Sequence, residues 1–241
     1  MNLKQELIKQ KESKFKGSIY HFSQVNFAFN SNKIEGSKLS EEQTEEIFET
    51  NSLVPTNGEQ IKSDDLIETK NHFRLFDYML DIVDDKLTKD IIIKMHSILK
   101  TNTSDYEEGF KKLSNTIGII NSVHTSKPED VENDIVELLD WYNELKDITL
   151  EDIIEFHVRF ETIHPFNDGN GRVGRVIMFK ECLKNNIMPF IILDQHKSFY
   201  LRGLKEYKND KLFLIDTIKN EQDIYETICN NLLECDLEIN I

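Results

Sequence analysis

The chain has 241 residues, enough for one large domain or two small ones, and its 9 Gly and 4 Pro favour a helical protein with few long loops. Its formal net charge of −15 excludes broad binding to nucleic acid or to an anionic membrane, since neither supplies counter-charge to an acidic surface. No apolar run approaches the roughly 18 residues of a membrane span, and Met1 to Glu12 has no apolar signal core, so a soluble cytoplasmic protein is expected.

The coarse pattern is helix after helix. Tyr20 to Phe29 begins an amphipathic stretch. Near its end Ser31 and Glu35 stand four apart on one helical face, with Gly36 where a C′ glycine belongs. Ser40 and Gln43 make a capping box, and residues 51–63 read as a loop. Phe73, Phe76, Tyr78, Met79 and Ile82 mark a buried helix stripe, and Thr88 starts another helix through His96 to Leu99. His96 reads as a hydrogen-bonded packing residue. Residues 107–126 break the helical rhythm. Within them Ile117 to His124 has β-branched residues, a glycine and an Asn-Ser turn, which predicts a short β-hairpin. Pro128 opens a helix through Val131, Ile135, Leu138, Leu139 and Tyr142. Thr149 caps the next one, whose apolar face is Ile153, Ile154, Phe156, Phe160 and Ile163. His157, on roughly the same face as His164 two turns on, is a candidate for a role near the site. Cys182, Cys229 and Cys235 have no CxxC spacing and read as reduced thiols. The seven histidines form no HExxH, so zinc is not expected.

Residues 164–175, His-Pro-Phe-Asn-Asp-Gly-Asn-Gly-Arg-Val-Gly-Arg, carry the chemistry. Pro165, Gly169 and Gly171 break the backbone into a loop that leaves N–H groups free, with helix resuming at Arg172. A glycine-rich loop entering a helix N-terminus is a ready anion site. Arg172 and Arg175, three apart, should project toward one anion, and two guanidiniums over a nest of amides suit a polyphosphate. Asp168 would repel phosphate unless a divalent cation bridges the two. His164 at the loop entrance is placed to take a proton from an incoming hydroxyl.

Those twelve residues resemble the signature of the Fic family, His-Pro-Phe-x-(Asp/Glu)-Gly-Asn-(Gly/Lys)-Arg-x-x-Arg, at every specified position. The resemblance implies an all-α bundle with a small β-hairpin flap. It also implies transfer of AMP from ATP to a Ser, Thr or Tyr hydroxyl of a target protein and of the enzyme itself, with release of pyrophosphate. His164 would be the general base and Asp168 would hold Mg²⁺. Gly169, Asn170 and Gly171 would form the anion hole, and Arg172 and Arg175 would grip the outer phosphates. Ser31-x-x-x-Glu35-Gly36 resembles the family's inhibitory helix, in which the glutamate pairs with the second arginine, here Arg175. Ile117, Gly118, Ile119 and Ile120 correspond to the flap that docks the target by strand addition. Gly109-Phe-Lys-Lys112 matches only loosely the family's Gly-x-(Tyr/Phe)-Arg. The expected organisation is one domain over 1–241, with an inhibitory helix at 20–36, a core at 70–207 and a helical extension at 208–241. Self-association is common in such relatives. Two rivals share the resemblance. One removes AMP or transfers another phosphate-containing group. The other is a non-catalytic helical module that senses ATP.

Overall fold

The computed structural model describes residues 2–13, 15–55, 58, 60–114 and 125–239, the last six of these by backbone alone. Among the described residues there are ten α-helices, one 3₁₀ turn at Asp194–His196 and no strand. The helices are α1 (Leu3–Ser13), α2 (Ile19–Ile34), α3 (Glu41–Thr50), α4 (Ser63–Asp81) and α5 (Lys89–Lys100). They continue with α6 (Val131–Glu144), α7 (Leu150–Ile163), α8 (Asn170–Lys184), α9 (Lys197–Glu206) and α10 (Leu212–Ile239). The expected all-α architecture is what the chain adopts. The expected hairpin, Ile117 to Ile120 included, lies outside the described residues.

Local chemistry explains where the helices start. Ser40 and Gln43 form the reciprocal capping box on α3, and Thr149 and Asp152 form one on α7. The Thr88 hydroxyl accepts from the Ile91 N–H to open α5. Each such cap satisfies a donor that the first turn would otherwise orphan and stabilises the helix by about 1 kcal/mol. Two starts differ from expectation. α6 begins at Val131, because residues 128–130 close a turn in which Asp130 N–H donates to Lys127 C=O. α8 begins at Asn170, two residues before Arg172, because Gly169 adopts φ +84° and serves as its N-cap.

α8 is the axle of the fold. Every residue from Arg172 to Leu183 is buried, so this helix has no solvated face and is wrapped on all sides. α7 lies along it, and α2, α4 and α5 close around the rest. Phe27, Phe76 and Phe179 meet in tilted and edge-on contacts where α2, α4 and α8 converge. α9 and α10 pair with each other, and α10 also reaches α2. This wrapping brings the ends of α2, α5 and α7 to the N-terminus of α8. No described helix is long and apolar enough to cross a membrane.

Candidate active site

The loop between α7 and α8 is fixed at every step. α7 closes on His164, whose N–H donates to Phe160 C=O at 2.9 Å and whose φ of +52° is left-handed. A non-glycine residue there costs on the order of 1–3 kcal/mol, so the surroundings must over-determine it. They do so through several contacts. Lys111 N–H donates to Pro165 C=O at 2.8 Å, and Lys111 Nζ donates to Ile163 C=O at 3.2 Å. His96 stacks on Phe166, ring centroids 3.8 Å apart, and hydrogen-bonds the Asp168 carbonyl at 3.1 Å. His96 is thus the packing residue its context suggested, and the packing it does is of the signature loop. The Asn170 side chain accepts from Phe166 N–H at 2.9 Å and donates to Phe166 C=O at 2.8 Å. Its side-chain amide holds the loop closed.

A cavity of about 260 Å³ opens at the α8 N-terminus. His164, Asp168, Gly169, Asn170, Gly171 and Arg175 form its polar end, so six of the residues singled out in the signature meet there. Ile34, Val158, Leu201 and Leu204 form an apolar wall, with Tyr200 beside Arg175 and Lys205 and Lys208 also lining the cavity. The wall comes from α2, α7 and α9, and nothing in the sequence marked it.

Glu35 occupies the polar end. Its Oε1 accepts from Arg175 Nη2 at 2.7 Å. A Cβ on Gly171 would lie 2.5 Å from that same oxygen, so only glycine leaves room for the carboxylate against α8. Burial opposes the Glu35 charge, but Arg175 and Arg172 outweigh it and hold the carboxyl below its ordinary range. Ser31 does not touch Glu35 in the hydrogen-bond network. Its hydroxyl accepts from Arg175 Nε at 3.0 Å and its carbonyl from Arg175 Nη2 at 3.0 Å. The two residues, four apart at the end of α2, therefore hold one guanidinium through its Nε and Nη2.

Arg172 and Arg175, expected to face a single anion, have separate partners. Arg172 is 2% exposed and pairs with Glu68 and with Asp168 Oδ2 at 2.8 Å. Lys100 Nζ, at the end of α5, also meets Asp168 Oδ2 at 2.5 Å, Glu68 at 2.5 Å and Asp105 at 2.9 Å. Burial opposes the Asp168 charge, but Arg172 and Lys100 outweigh burial and hold the carboxyl at about 2. Asp168 is therefore no lone carboxylate in a cationic site: the protein itself neutralises it. Contrary to expectation, Asp168 needs no metal for neutrality. What survives is the chemistry of the donor, a half-exposed, fully ionised carboxylate on the cavity wall. That suits Mg²⁺, which is held by one or two carboxylates together with substrate phosphates. Glu68 and Lys100 carry no sequence signal, because an acid in mid-helix and a lysine at a helix end are ordinary solvated residues.

His164 is pushed down to about 4, first by burial and then by the Lys111 charge, so the ring is neutral near pH 7 and free to accept a proton. Its Nδ1 faces Glu161 Oε2 at 3.9 Å, beyond hydrogen-bond reach. Glu161 is pushed up to about 8 by burial and by Glu35, and is protonated near pH 7. His157 lies behind the site: its Nε2 bonds Tyr200 Oη at 2.6 Å, and its Nδ1 would be 2.7 Å from a Cβ on Gly174.

Residues 86–182 match the Fic/DOC family. Protein adenylyltransferase fic-1 of Caenorhabditis elegans is 25% identical over 183 residues, covering 74% of this chain and 35% of the relative. Protein adenylyltransferase Fic of Nematostella vectensis is 28% identical over 183 residues, covering 74% and 42%. The chain thus spans 35% and 42% of the length of these two relatives. A Fic domain containing signaling protein from Bacteroides thetaiotaomicron superposes with a TM-score of 0.76 at 19% identity, covering 96% of both chains. A Fic family protein from Desulfovibrio desulfuricans G20 superposes with a TM-score of 0.72 at 19% identity, covering 95% of this chain and 72% of that one. These likenesses establish the fold.

Proposed function

We propose that this chain, which matches the Fic/DOC family over residues 86–182, transfers AMP from ATP to a protein hydroxyl and is held inhibited by Glu35 at the end of its own α2. The observation that carries this reading is the Glu35 carboxylate seated on Arg175 at the α8 N-terminus, in the place an anionic substrate would take. A carboxylate and a terminal phosphate compete for the same guanidinium.

The chemistry follows from the cavity's two ends. The apolar wall of Ile34, Val158, Leu201 and Leu204 accommodates a nucleoside, while the N–H groups of Gly169 to Gly171 and the α8 dipole favour phosphates. Neutral His164 accepts the proton of the target hydroxyl as its oxygen attacks the α-phosphorus, and pyrophosphate leaves. Asp168 would hold Mg²⁺, which when bound offsets charge on the phosphates. Arg175, once released by Glu35, grips the outer phosphates of ATP. Arg172 contributes to that grip by fixing Asp168 beside them. Ile117 to Ile120 would dock an extended target segment, with self-modification as one case and self-association as in related self-inhibited proteins. Cys182 and Cys229 are free thiols, which suits the cytoplasm.

The test is intact-mass spectrometry and labelling with ATP carrying label first on the α- and then on the γ-phosphate. Incorporation of the α-label alone, with a mass increase of one AMP, supports the reading. Incorporation of the γ-label means phosphorylation. ATP binding without incorporation, in the Glu35→Gly variant as well, means a nucleotide-sensing module.

A further inference from the structure

We propose that Lys100 is a positioning residue for Asp168: its ammonium fills the space between three carboxylates that a divalent cation would otherwise take. The inference rests on the nucleotide-transfer reading only in naming Mg²⁺ as the relevant ion. The geometry stands by itself. Lys100 Nζ lies 2.5 Å from Asp168 Oδ2, 2.5 Å from Glu68 Oε1 and 2.9 Å from Asp105 Oδ1. These carboxylates come from α4, the α8 approach loop and the segment after α5, and their oxygens lie within 4.8 Å of one another. The lysine side chain is 3% exposed, unlike the solvated lysine its place at a helix end suggests.

Charge explains the consequence. Lys100 and Arg172 offset two of the three carboxylates, leaving one net negative charge in the cluster. A hard cation approaching Asp168 meets an ammonium and a guanidinium already on Oδ2 and gains little. Removing the ammonium leaves two uncompensated charges on three oxygen donors at ligand spacing, which is what a divalent cation seeks. Lys100 therefore keeps the nucleotide-free chain from binding the ion strongly, and the ion arrives together with phosphates that supply the missing ligands. Lys100 also fixes the Asp168 carboxylate so that those ligands meet it in one orientation.

The experiment titrates Mn²⁺, a paramagnetic oxygen-binding probe, into nucleotide-free protein and reads the free ion by electron paramagnetic resonance. Wild type and Lys100→Arg should bind only in the millimolar range. Lys100→Met, which keeps much of the apolar stem and removes the charge, should bind about tenfold tighter or more. Adding Asp168→Asn to Lys100→Met should abolish the gain. A folded Lys100→Met protein that binds Mn²⁺ no tighter than wild type would overturn the proposal, as would a gain that survives Asp168→Asn. Should Lys100→Met fail to fold, micromolar Mn²⁺ binding by the nucleotide-free wild type would overturn it equally. Failure of AMP transfer would show in the label assay and leave this titration unchanged, so the two readings fail separately.

Discussion

At the scale of single residues, Arg175 is the pivot. It donates to three acceptors at the C-terminal end of α2, the Ser31 hydroxyl and carbonyl and the Glu35 carboxylate, and in the proposed reading these keep it from the outer phosphates. Glu35→Gly should raise initial rates of self-labelling. With a gap of about 2–3 kcal/mol between inhibited and open states the gain is roughly 30–150-fold. Arg175→Ala in the same background should erase it. Ser31→Ala should give a smaller gain, because its carbonyl still accepts from the guanidinium after the hydroxyl is gone. A Glu35→Gly protein that binds ATP yet labels no faster than wild type would refute the inhibitory role. His164→Ala should cost about 10²–10⁴ in rate and leave ATP affinity within a few-fold, measured by calorimetry beside the labelling assay. The sign of its pH dependence follows from its depressed pKa of about 4. A general base works neutral, so if His164 has that role its contribution in the Glu35→Gly protein should stay flat from pH 7 to about 5. It should then fall as protonation sets in. A profile that bends at the ordinary histidine value of about 6.5 would mean that the ring is solvated during turnover.

At the scale of elements, the wall of the cavity depends on how α9 sits. Tyr200, Leu201 and Leu204 line the cavity from one side of α9, while Gly203 faces α10. A Cβ at Gly203 would lie 2.8 Å from the Leu214 Cα, and a backbone atom cannot swing aside. Gly203→Ala should therefore push α9 off α10 and destabilise the fold by about 1–3 kcal/mol. Differential scanning calorimetry should show a melting point lower by several degrees, and ATP affinity should drop because the apolar wall moves with α9. An unchanged melting point would mean that the two helices slide apart freely.

At the scale of the whole molecule, burial of neutral histidines makes the fold sensitive to acid. His72 and His157 are held at about 3, and His96 and His164 at about 4, each first by burial. Each would bind a proton near 6.5 in the unfolded chain. The unfolded state therefore gains protons that the native state refuses, and stability falls as pH drops below about 6.5 toward 4. Glu161, pushed up to about 8, acts in the opposite sense: it keeps a proton in the native state and favours folding as pH falls from 8 to 4.5. Four histidines against one glutamate leave a net of roughly three protons near pH 5.5. At about 1.4 kcal/mol per proton per pH unit, that is a steep loss. Urea midpoints at pH 7.5, 6.5 and 5.5 should decline progressively, and His157→Gln, once corrected for its own packing cost at pH 7.5, should soften the decline. Midpoints that rise between pH 6.5 and 5.5 would show that the histidines are not buried neutral.

The sequence by itself determined the helical class, most caps, and the residues that meet at the α8 N-terminus, because caps and loop-to-helix signatures are local and their geometry is written over a few neighbours. It also paired Ser31 and Glu35 by helical spacing, and the fold delivers both to Arg175. Chain proximity could not say which guanidinium faces which carboxylate. Arg172 and Arg175 look equivalent at i and i+3, yet α4 and α5 bring Glu68 and Lys100 to one while α2 brings Glu35 to the other. Nor could it show that Asp168 is neutralised from within, or that Asn170 holds the loop. The ion pairs among them depend on partners up to 140 residues away that stand on faces reading as solvated until the helices pack. Only packing decides which surface charges become buried ones, and in this fold that decision makes the site.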